Sequence, residues 1–259
     1  MQRGIYLLPD RAALPSELAR AALLAVGHHG CVVSHLTAAR LHGLAVPEGG
    51  PAELTTPRAL RRPNRDRLRL HTARLAPADV VDLGAILITS RARTLVDLCR
   101  ALPRVAAVWA VEDALRRGLV SCGDLEAAAG RLRRTPGIVE ARHRFRAAEP
   151  LSGSPLETDA RLKLIEAGLP RPEVQLPVAL AGGGTAFVDL GYRAERLGIE
   201  LDGRASHELP PAVFADRVRQ NRILLADFIL LRFTWFDVVH RSERFISDVH
   251  SALEKRRTG

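Results

Sequence analysis

The sequence predicts a mixed α/β protein of the α+β type, built from two domains. Residues 148–155 (AEPLSGSP) hold two prolines, one glycine and two serines between helical patterns, a composition typical of a linker. Net charge changes at the same place, and the pattern after it indicates helix, three strands, helix, strand, helix. A chain of 259 residues has room for two modest cores. We therefore expect domains over residues 1–149 and 154–259.

Positive charge is concentrated in the first domain. Residues 1–150 carry 23 basic and 14 acidic side chains, whereas residues 151–259 carry 15 of each. Such an excess fits a surface that guides phosphates, so DNA is the expected partner. The alternative is that scattered arginines only solvate helix faces.

Composition also excludes some classes of protein. No apolar run approaches the length of a membrane span, and the first ten residues lack the apolar stretch of a secretory signal. Three cysteines, odd in number and far apart, offer neither a disulfide framework nor a CxxC metal site. We therefore expect a cytoplasmic protein with no membrane partner.

The first domain is predicted to be a helix-rich α+β domain. A helix should run from Pro15 to about Val26, after a short apolar segment at residues 4–8. Ser34 can cap a second helix through Leu44, because its hydroxyl can accept a hydrogen bond from a first-turn amide. The further elements predicted are strands over Glu53–Thr56, Leu68–Thr72, Val80–Leu83 and Ile86–Thr89, and helices over Arg91–Ala101, Pro103–Arg117, Asp124–Arg134 and Ile138–Ala147.

Five segments of this domain carry a family resemblance: RGIY, SHLTAARLHGL, ELTTPR, TSRARTLVDLCR and WAVEDALRRG. Over residues 3–118 they resemble the AbiEi-type antitoxin proteins of bacterial type IV toxin–antitoxin systems. The resemblance implies a toxin protein as a possible partner. Members carry a winged helix-turn-helix ahead of RGIY, whose recognition helix would enter the DNA major groove. Because RGIY lies at residues 3–6, we expect most of that module to be missing here.

The second domain opens with a strong helix start at residues 154–157. Ser154 can cap the helix, proline takes the first position and Glu157 lies in the first turn. Two strands that flank the glycine-rich residues 181–184 predict a hairpin. The elements expected after the first helix are strands over Val174–Leu180, Thr185–Tyr192 and Arg196–Asp202, a helix over Pro211–Ala226, an interior strand over Phe228–Phe233, and a closing helix from Ser242 or Glu243.

Acidic residues interrupt two of these strands. In the strand over residues 185–192, Asp189 lies on the face opposite Leu190, and in the next strand Glu200 and Asp202 share one face. If the strands pair, the three carboxylates converge on one side of the sheet. Repulsion between them would raise a pKa, and a divalent cation such as Mg²⁺ would relieve it. On spacing alone, an ordinary solvated sheet face is the preferred interpretation.

An ordered series of motifs changes that preference. SPLE, AFVDLGY, LGIELDG, His207, FADRVRQNRILL and ILLRFTWFDV resemble an actinobacterial family related to very-short-patch-repair endonucleases, within the PD-(D/E)XK superfamily. The resemblance covers about residues 154–255. It implies an α-β-β-β-α-β core with a mixed sheet and Mg²⁺-dependent hydrolysis of phosphodiester bonds.

The resemblance also implies a set of site residues. Glu157 matches the acid on the first helix, Asp189 the acid of the second motif and Glu200 the acid of the third. These three are the expected ligands of Mg²⁺, or of Mn²⁺ in its place. In such sites the metal polarises the phosphate and lowers the pKa of a bound water, which attacks in line.

The chain departs from the superfamily pattern where the third motif ends in lysine, because Asp202 stands there. His207 is a candidate proton shuttle or charge stabiliser, the alternative being a surface histidine. Arg232, on the next strand, is a candidate source of the missing positive charge. Asn221 extends an apolar stripe of the intervening helix and is expected to turn toward the site, the alternative being a helix-surface asparagine.

Two hypotheses of different classes follow. The first is a Mg²⁺-dependent DNA endonuclease or nickase, in which the basic first domain holds the DNA backbone and the second domain cuts it. The second is a non-catalytic DNA-binding or antitoxin-type regulator whose nuclease fold is silent. Cleavage of a plasmid in the presence of metal separates the two.

Overall fold

The computed structural model describes residues 14–27, 30–57, 67–84, 86–180, 182–203 and 210–258, with side chains in the last range described from residue 217. The apolar segment at residues 4–8 and the candidate His207 therefore lie outside the described residues. The chain divides into two compact units, residues 1–150 and 151–259, and the division falls within the segment 148–155. Each unit combines helices with its own mixed sheet.

The N-terminal unit follows the order of elements expected from the sequence. Its helices and strands are α1 (Pro15–Val26), β1 (Val32–Val33), α2 (His35–Leu41), β2 (Ala52–Thr56), β3 (Leu68–Thr72), β4 (Val80–Asp82), β5 (Leu87–Thr89), α3 (Arg91–Ala101), α4 (Arg104–Arg116), α5 (Cys122–Arg131) and α6 (Ile138–Arg146). In the described residues its sheet has the order β3-β2-β1-β5-β4, with β2–β3 and β1–β5 parallel. One core lies between α1 and this sheet, and a second joins α3 to α6.

Several predicted helix boundaries in this unit differ from the structure, and the ends of α2 and α5 differ by two or three residues. α2 ends at Leu41 rather than Leu44, and the Ser34 hydroxyl makes no cap bond. That hydroxyl instead contacts Thr55 Oγ1 (2.8 Å) and His35 Nδ1 (3.0 Å). α5 begins at Cys122, ahead of the predicted start, because Ser121 caps it in a reciprocal capping box.

The C-terminal unit has the order helix, three strands, helix, strand, helix, helix. Its elements are α7 (Pro155–Glu166), β6 (Glu173–Ala179), β7 (Thr185–Tyr192), β8 (Leu197–Asp202), α8 (Pro210–Leu225), β9 (Ile229–Thr234), α9 (Trp235–His240) and α10 (Ser242–Thr258). In the described residues the sheet order is β6-β7-β8-β9, with β8 and β9 parallel. The larger apolar core lies between one face of this sheet and α7, α9 and α10, and a smaller one joins β6 and β7 to α8. β9 lies at the sheet edge and is only partly buried, so the expectation of an interior strand was wrong.

Two glycines allow β7 and β8 to pair closely next to the acidic residues. Gly191 lies opposite Gly198 in the ladder. A Cβ added at Gly191 would clash with Leu176 Cδ2 and would lie 2.9 Å from the Leu197 carbonyl oxygen. The carbonyl belongs to the ladder and has little freedom to move, so a side chain larger than hydrogen does not fit there.

We expect Gly191→Ala to destabilise the C-terminal unit by about 1–3 kcal/mol, the usual effect of overpacking a well-packed core. Unfolding in denaturant, followed by Trp235 fluorescence in a Trp109→Phe background, measures this. The matched control is Gly203→Ala, directly after β8 in the same unit, where a Cβ would meet nothing within 4 Å. Equal stability of the two variants would contradict the expectation.

No helix among the described residues combines the length and the apolarity that a bilayer crossing needs.

Candidate functional site

Glu157 reaches the site from the first turn of α7. Ser154 caps this helix by accepting a hydrogen bond from the Glu157 backbone N–H (3.2 Å), which confirms the predicted helix start. The carboxylate is buried, with the residue 7% exposed. Its Oε2 accepts hydrogen bonds from the Gly153 backbone N–H (2.8 Å) and from Gln175 Nε2 (3.2 Å). The start of the helix therefore also fixes the position of this acid.

Asp189 lies where the sheet ladder is interrupted on both sides. Between β6 and β7 the register includes the residues on either side of Gln175 and Asp189 but omits that pair. Gln175 has φ +50°, a left-handed conformation that costs a non-glycine residue about 1–3 kcal/mol and clusters at functional sites. Toward β8, the last ladder pair is Leu190 with Ile199. Beyond it, Asp189 Oδ2 accepts a hydrogen bond from the Leu201 backbone N–H (2.9 Å).

Gln175 connects the two acids. Its Nε2 lies 3.2 Å from Glu157 Oε2 and 3.4 Å from Asp189 Oδ1. Burial is the main cause that raises the pKa of the Glu157 carboxyl, and the nearby Asp189 charge raises it further. Burial likewise raises the pKa of Asp189, with a smaller contribution from the charge of Asp202. The two carboxylates thus form a coupled, partly desolvated pair.

Glu200 is buried and is held by two arginines. Its Oε1 accepts hydrogen bonds from Nη1 and Nη2 of Arg219 on α8 (2.5 and 2.6 Å). Arg232 Nε lies 3.8 Å from the other oxygen, Oε2. Arg219 also donates to the Phe187 carbonyl oxygen (3.0 Å). A buried carboxylate needs such partners, because an unpaired charge in the interior is strongly destabilising.

Arg232 lies beside both acidic residues of β8. It pairs with Glu200 in the β8–β9 register, and its Nη2 donates to Asp202 Oδ1 (2.9 Å). The guanidinium is 31% exposed and Asp202 is 37% exposed, so this pair borders solvent while Glu200 does not. The positive charge therefore stands next to both Glu200 and Asp202.

The three predicted metal ligands do not form a ready-made triad. Among the described residues, three potential ligand atoms lie within 4.8 Å of one another at another place, in the N-terminal unit. Glu157 and Asp189 are joined through Gln175, whereas the Glu200 carboxylate binds Arg219. Two carboxylates are nevertheless a common protein contribution to a Mg²⁺ site, because this ion keeps several waters and takes further oxygens from phosphates.

Asn221 lies on the exposed side of α8, so its predicted inward orientation was wrong. The apolar stripe behind that prediction is itself exposed, with Val218 at 44% and Leu225 at 75%. The buried side of the helix carries Ile223, which packs in the core with Val188. The side of α8 that faces the sheet carries Ile223 together with the polar Arg219, so the helical period alone does not identify it.

A groove of about 490 Å³ lies between the β6–β7 hairpin and α8. Phe187, Arg219 and Arg222 are among its lining residues. The Phe187 ring is 54% exposed, and Arg222 donates to the Gly183 carbonyl oxygen. Guanidinium groups and exposed aromatic rings are the side chains that contact phosphates and bases. Because Arg219 also binds Glu200, the groove adjoins the acidic residues.

Two residues of this site, Gln175 and Arg219, were not predicted from the sequence. The hairpin centred on residues 181–184 places Gln175 opposite Asp189, so the register of the predicted strands was the signal that could have found it. Arg219 lies within the FADRVRQNRILL motif, but several arginines occupy that helix and spacing does not choose among them.

Comparison with known proteins gives relatives without a described activity. The chain is 28% identical to two uncharacterized proteins of Mycobacterium tuberculosis, one from each of two strains, over 255 residues. The match covers 98% of this chain and 92% of each relative. No family model matches the sequence, and no solved structure matches it. The chain is thus similar, over nearly its whole length, to mycobacterial proteins that carry no assigned function.

Proposed function

We propose that the C-terminal unit is a Mg²⁺-dependent DNA endonuclease or nickase of the PD-(D/E)XK type. The observation that carries this proposal is that Gln175 joins the acids Glu157 and Asp189, from a helix and a strand, while Glu200 lies on the adjacent strand β8. The order of elements from α7 to β9 is α-β-β-β-α-β, the order that the resemblance implies. The excess of basic residues in the N-terminal unit supports DNA as the substrate.

Asp189 and Glu157 would hold the metal ion. Their hard oxygen donors suit Mg²⁺, and burial already raises the pKa of both carboxyls, so a cation would relieve the energetic penalty of ionising them. When bound, such an ion polarises the phosphate and lowers the pKa of an attacking water. Gln175, which donates toward both acids, keeps the two carboxylates facing each other.

The arginines provide the positive charge that a transferred phosphate needs. Arg232 stands beside Glu200 and Asp202 and offsets their charge in place of the superfamily lysine. The Arg219 side chain is 36% exposed and lines the groove. Its guanidinium can therefore exchange Glu200 for a DNA phosphate, because it pairs with either group through two hydrogen bonds. That exchange would free the Glu200 carboxylate to join the other two acids.

The test is cleavage of supercoiled plasmid by the purified full chain with Mg²⁺ or Mn²⁺, against a matched reaction in EDTA. We expect conversion to the nicked or linear form only when metal is present. Protein without added metal controls for contaminating metal-independent nucleases. An absence of cleavage with both metals, on plasmid, linear duplex and single-stranded DNA alike, would overturn the proposal.

One observation favours a second candidate, a regulator with a silent nuclease fold. Glu200 is already neutralised by Arg219 and Arg232, as expected of a site in which arginine has replaced the metal. For that function we expect DNA binding that weakens steeply with salt, or binding of a toxin protein, without cleavage under any metal condition. The plasmid assay, run beside a gel-shift titration, separates the two candidates.

A further inference from the structure

Three potential metal ligands meet in the N-terminal unit, away from the acidic site. One ligand atom from each of His35, Glu53 and His71 lies within 4.8 Å of the other two. His35 is the first residue of α2, and Glu53 and His71 belong to the adjacent strands β2 and β3. The elements that form the sheet therefore bring together residues 18 or more positions apart in the sequence.

We propose that His35, Glu53 and His71 bind a transition-metal ion, with zinc as the chemical class that the ligands fit best. Two imidazoles and one carboxylate form a donor set that zinc takes in proteins, where a water completes the coordination. Imidazole ligands disfavour Mg²⁺ and Ca²⁺, which prefer oxygen. The site is thus distinct in chemistry from the acidic residues of the C-terminal unit.

The surroundings of the cluster support a ligand role. Glu53 is 3% exposed, and its Oε2 accepts a hydrogen bond from the Leu36 backbone N–H (3.2 Å), which fixes the carboxylate. His71 Nε2 is buried, lies 3.6 Å from that same oxygen and makes no hydrogen bond in the structure as described. At 3.6 Å this contact is longer than a good hydrogen bond, so the nitrogen has only a weak partner in Glu53. A metal ion between Nε2 and Oε2 would satisfy both atoms.

His35 is held in the way that metal-binding histidines are usually held. Its Nδ1 lies 3.0 Å from the Ser34 hydroxyl, which contacts Thr55 in turn, so a second-shell contact orients the ring. The backbone of His35 has φ +50°, a strained conformation of the kind that clusters at functional sites.

Binding requires one local movement. The rings of His35 and His71 stack, with centroids 3.6 Å apart and planes 13° from parallel. Two parallel rings cannot both direct their in-plane lone pairs at one ion, so one ring must tilt. His71 can do so, because its side chain is 27% exposed and β3 lies at the edge of the sheet.

The test is titration of the EDTA-treated full chain with Zn²⁺ by calorimetry against a competing chelator, with Co²⁺ absorption as a second readout. We expect one tightly bound ion per chain, separate from weaker binding at the acidic site, and the strong visible bands of four-coordinate Co²⁺. His71→Phe, which keeps a ring to stack on His35, and Glu53→Gln, which keeps an acceptor for Leu36, should each weaken binding at least about a hundredfold, because second-shell changes alone weaken it about 10- to 100-fold.

Two controls separate this site from other sources of binding. His143→Phe removes an exposed histidine of the same unit, and Asp189→Asn alters the acidic site, so both should bind Zn²⁺ as the unaltered chain does. The proposal is overturned if His71→Phe and Glu53→Gln bind as tightly as the unaltered chain, or if Asp189→Asn abolishes binding. A weak, six-coordinate Co²⁺ spectrum also overturns it. None of these results depends on whether the chain cleaves DNA.

Discussion

Asp189→Asn is expected to reduce metal-dependent nicking at least about a hundredfold, because a metal in such a site contributes several kcal/mol to catalysis and each 1.4 kcal/mol is a factor of about ten. Asparagine keeps the size of the side chain and its acceptor for the Leu201 N–H. It removes the charge that would bind the cation. Initial rates of plasmid nicking at saturating Mg²⁺ measure the loss.

The same substitution should stabilise the metal-free protein. Burial raises the pKa of Asp189 in the folded state, so the folded chain holds the proton to a higher pH than the unfolded chain does. As the pH rises above the ordinary carboxyl value of 3.8, the stability of the unaltered chain in EDTA therefore falls, and the deficit remains at neutral pH. Asp189→Asn lacks this penalty, so its melting temperature at neutral pH in EDTA should be higher.

Glu173→Gln is the matched control for both effects. Glu173 is an exposed carboxylate of the same sheet, paired with Arg193 at 2.6 Å, so its loss should leave nicking and metal response unchanged. If Asp189→Asn gains stability and loses nicking, the charge of Asp189 serves catalysis although it destabilises the folded chain. Equal nicking by Asp189→Asn and the unaltered chain would remove Asp189 from the site.

Arg93→Met is expected to destabilise the N-terminal unit by about 3 kcal/mol or more, in the range measured when one partner of a buried ion pair is removed. Arg93 is 1% exposed, and its Nε donates to Asp97 (2.8 Å) while its Nη1 donates to Asp79 (3.1 Å). Arg131 and Arg100 bind the Oδ1 atoms of these two acids, so the Oδ2 atoms would lose the charge of Arg93 in the buried interior. Methionine fills similar volume, so the loss reports charge rather than a cavity.

Denaturant unfolding, followed by Trp109 fluorescence in a Trp235→Phe background, measures this loss in the N-terminal unit. The control is Arg146→Met, which removes an arginine that is 63% exposed and paired with Glu126. An exposed ion pair contributes about 0–1 kcal/mol. Losses of similar size in the two variants would show that the buried arginine contributes no more than a surface one.

The sequence predicted the elements of both units well because local rules decide them. The helix over Arg91–Ala101 and the strand over Thr185–Tyr192 have the predicted bounds, since a cap or a clear alternation marks each end. The alternation also placed Asp189 on the face away from the apolar core. Such features depend on residues a few positions apart, and a single sequence contains them.

Contacts between distant residues were not predictable in the same way. The ion pair between Arg219 and Glu200 joins α8 to β8, and the spacing of residues in the helix does not distinguish this arginine from its neighbours. The cluster of His35, Glu53 and His71 depends on which strands are neighbours in the sheet, and a parallel β2–β3 pair was not implied by the pattern. Ser34 was assigned a capping role from its position, whereas its hydroxyl binds across to β2.

Under the proposed function, the ion pair between Arg219 and Glu200 makes the affinity for Mg²⁺ depend on whether DNA is bound. Without DNA, Glu200 is neutralised by Arg219, so only the carboxylates of Glu157 and Asp189 are available to a cation. A DNA phosphate that binds the guanidinium in place of Glu200 would raise the affinity of the site for Mg²⁺. Because such coupling is reciprocal, bound Mg²⁺ would raise the affinity for DNA by the same factor. The affinity for Mg²⁺ should then be higher in the presence of duplex DNA than in its absence. Equal affinities would mean that Arg219 stays bound to Glu200 when DNA binds.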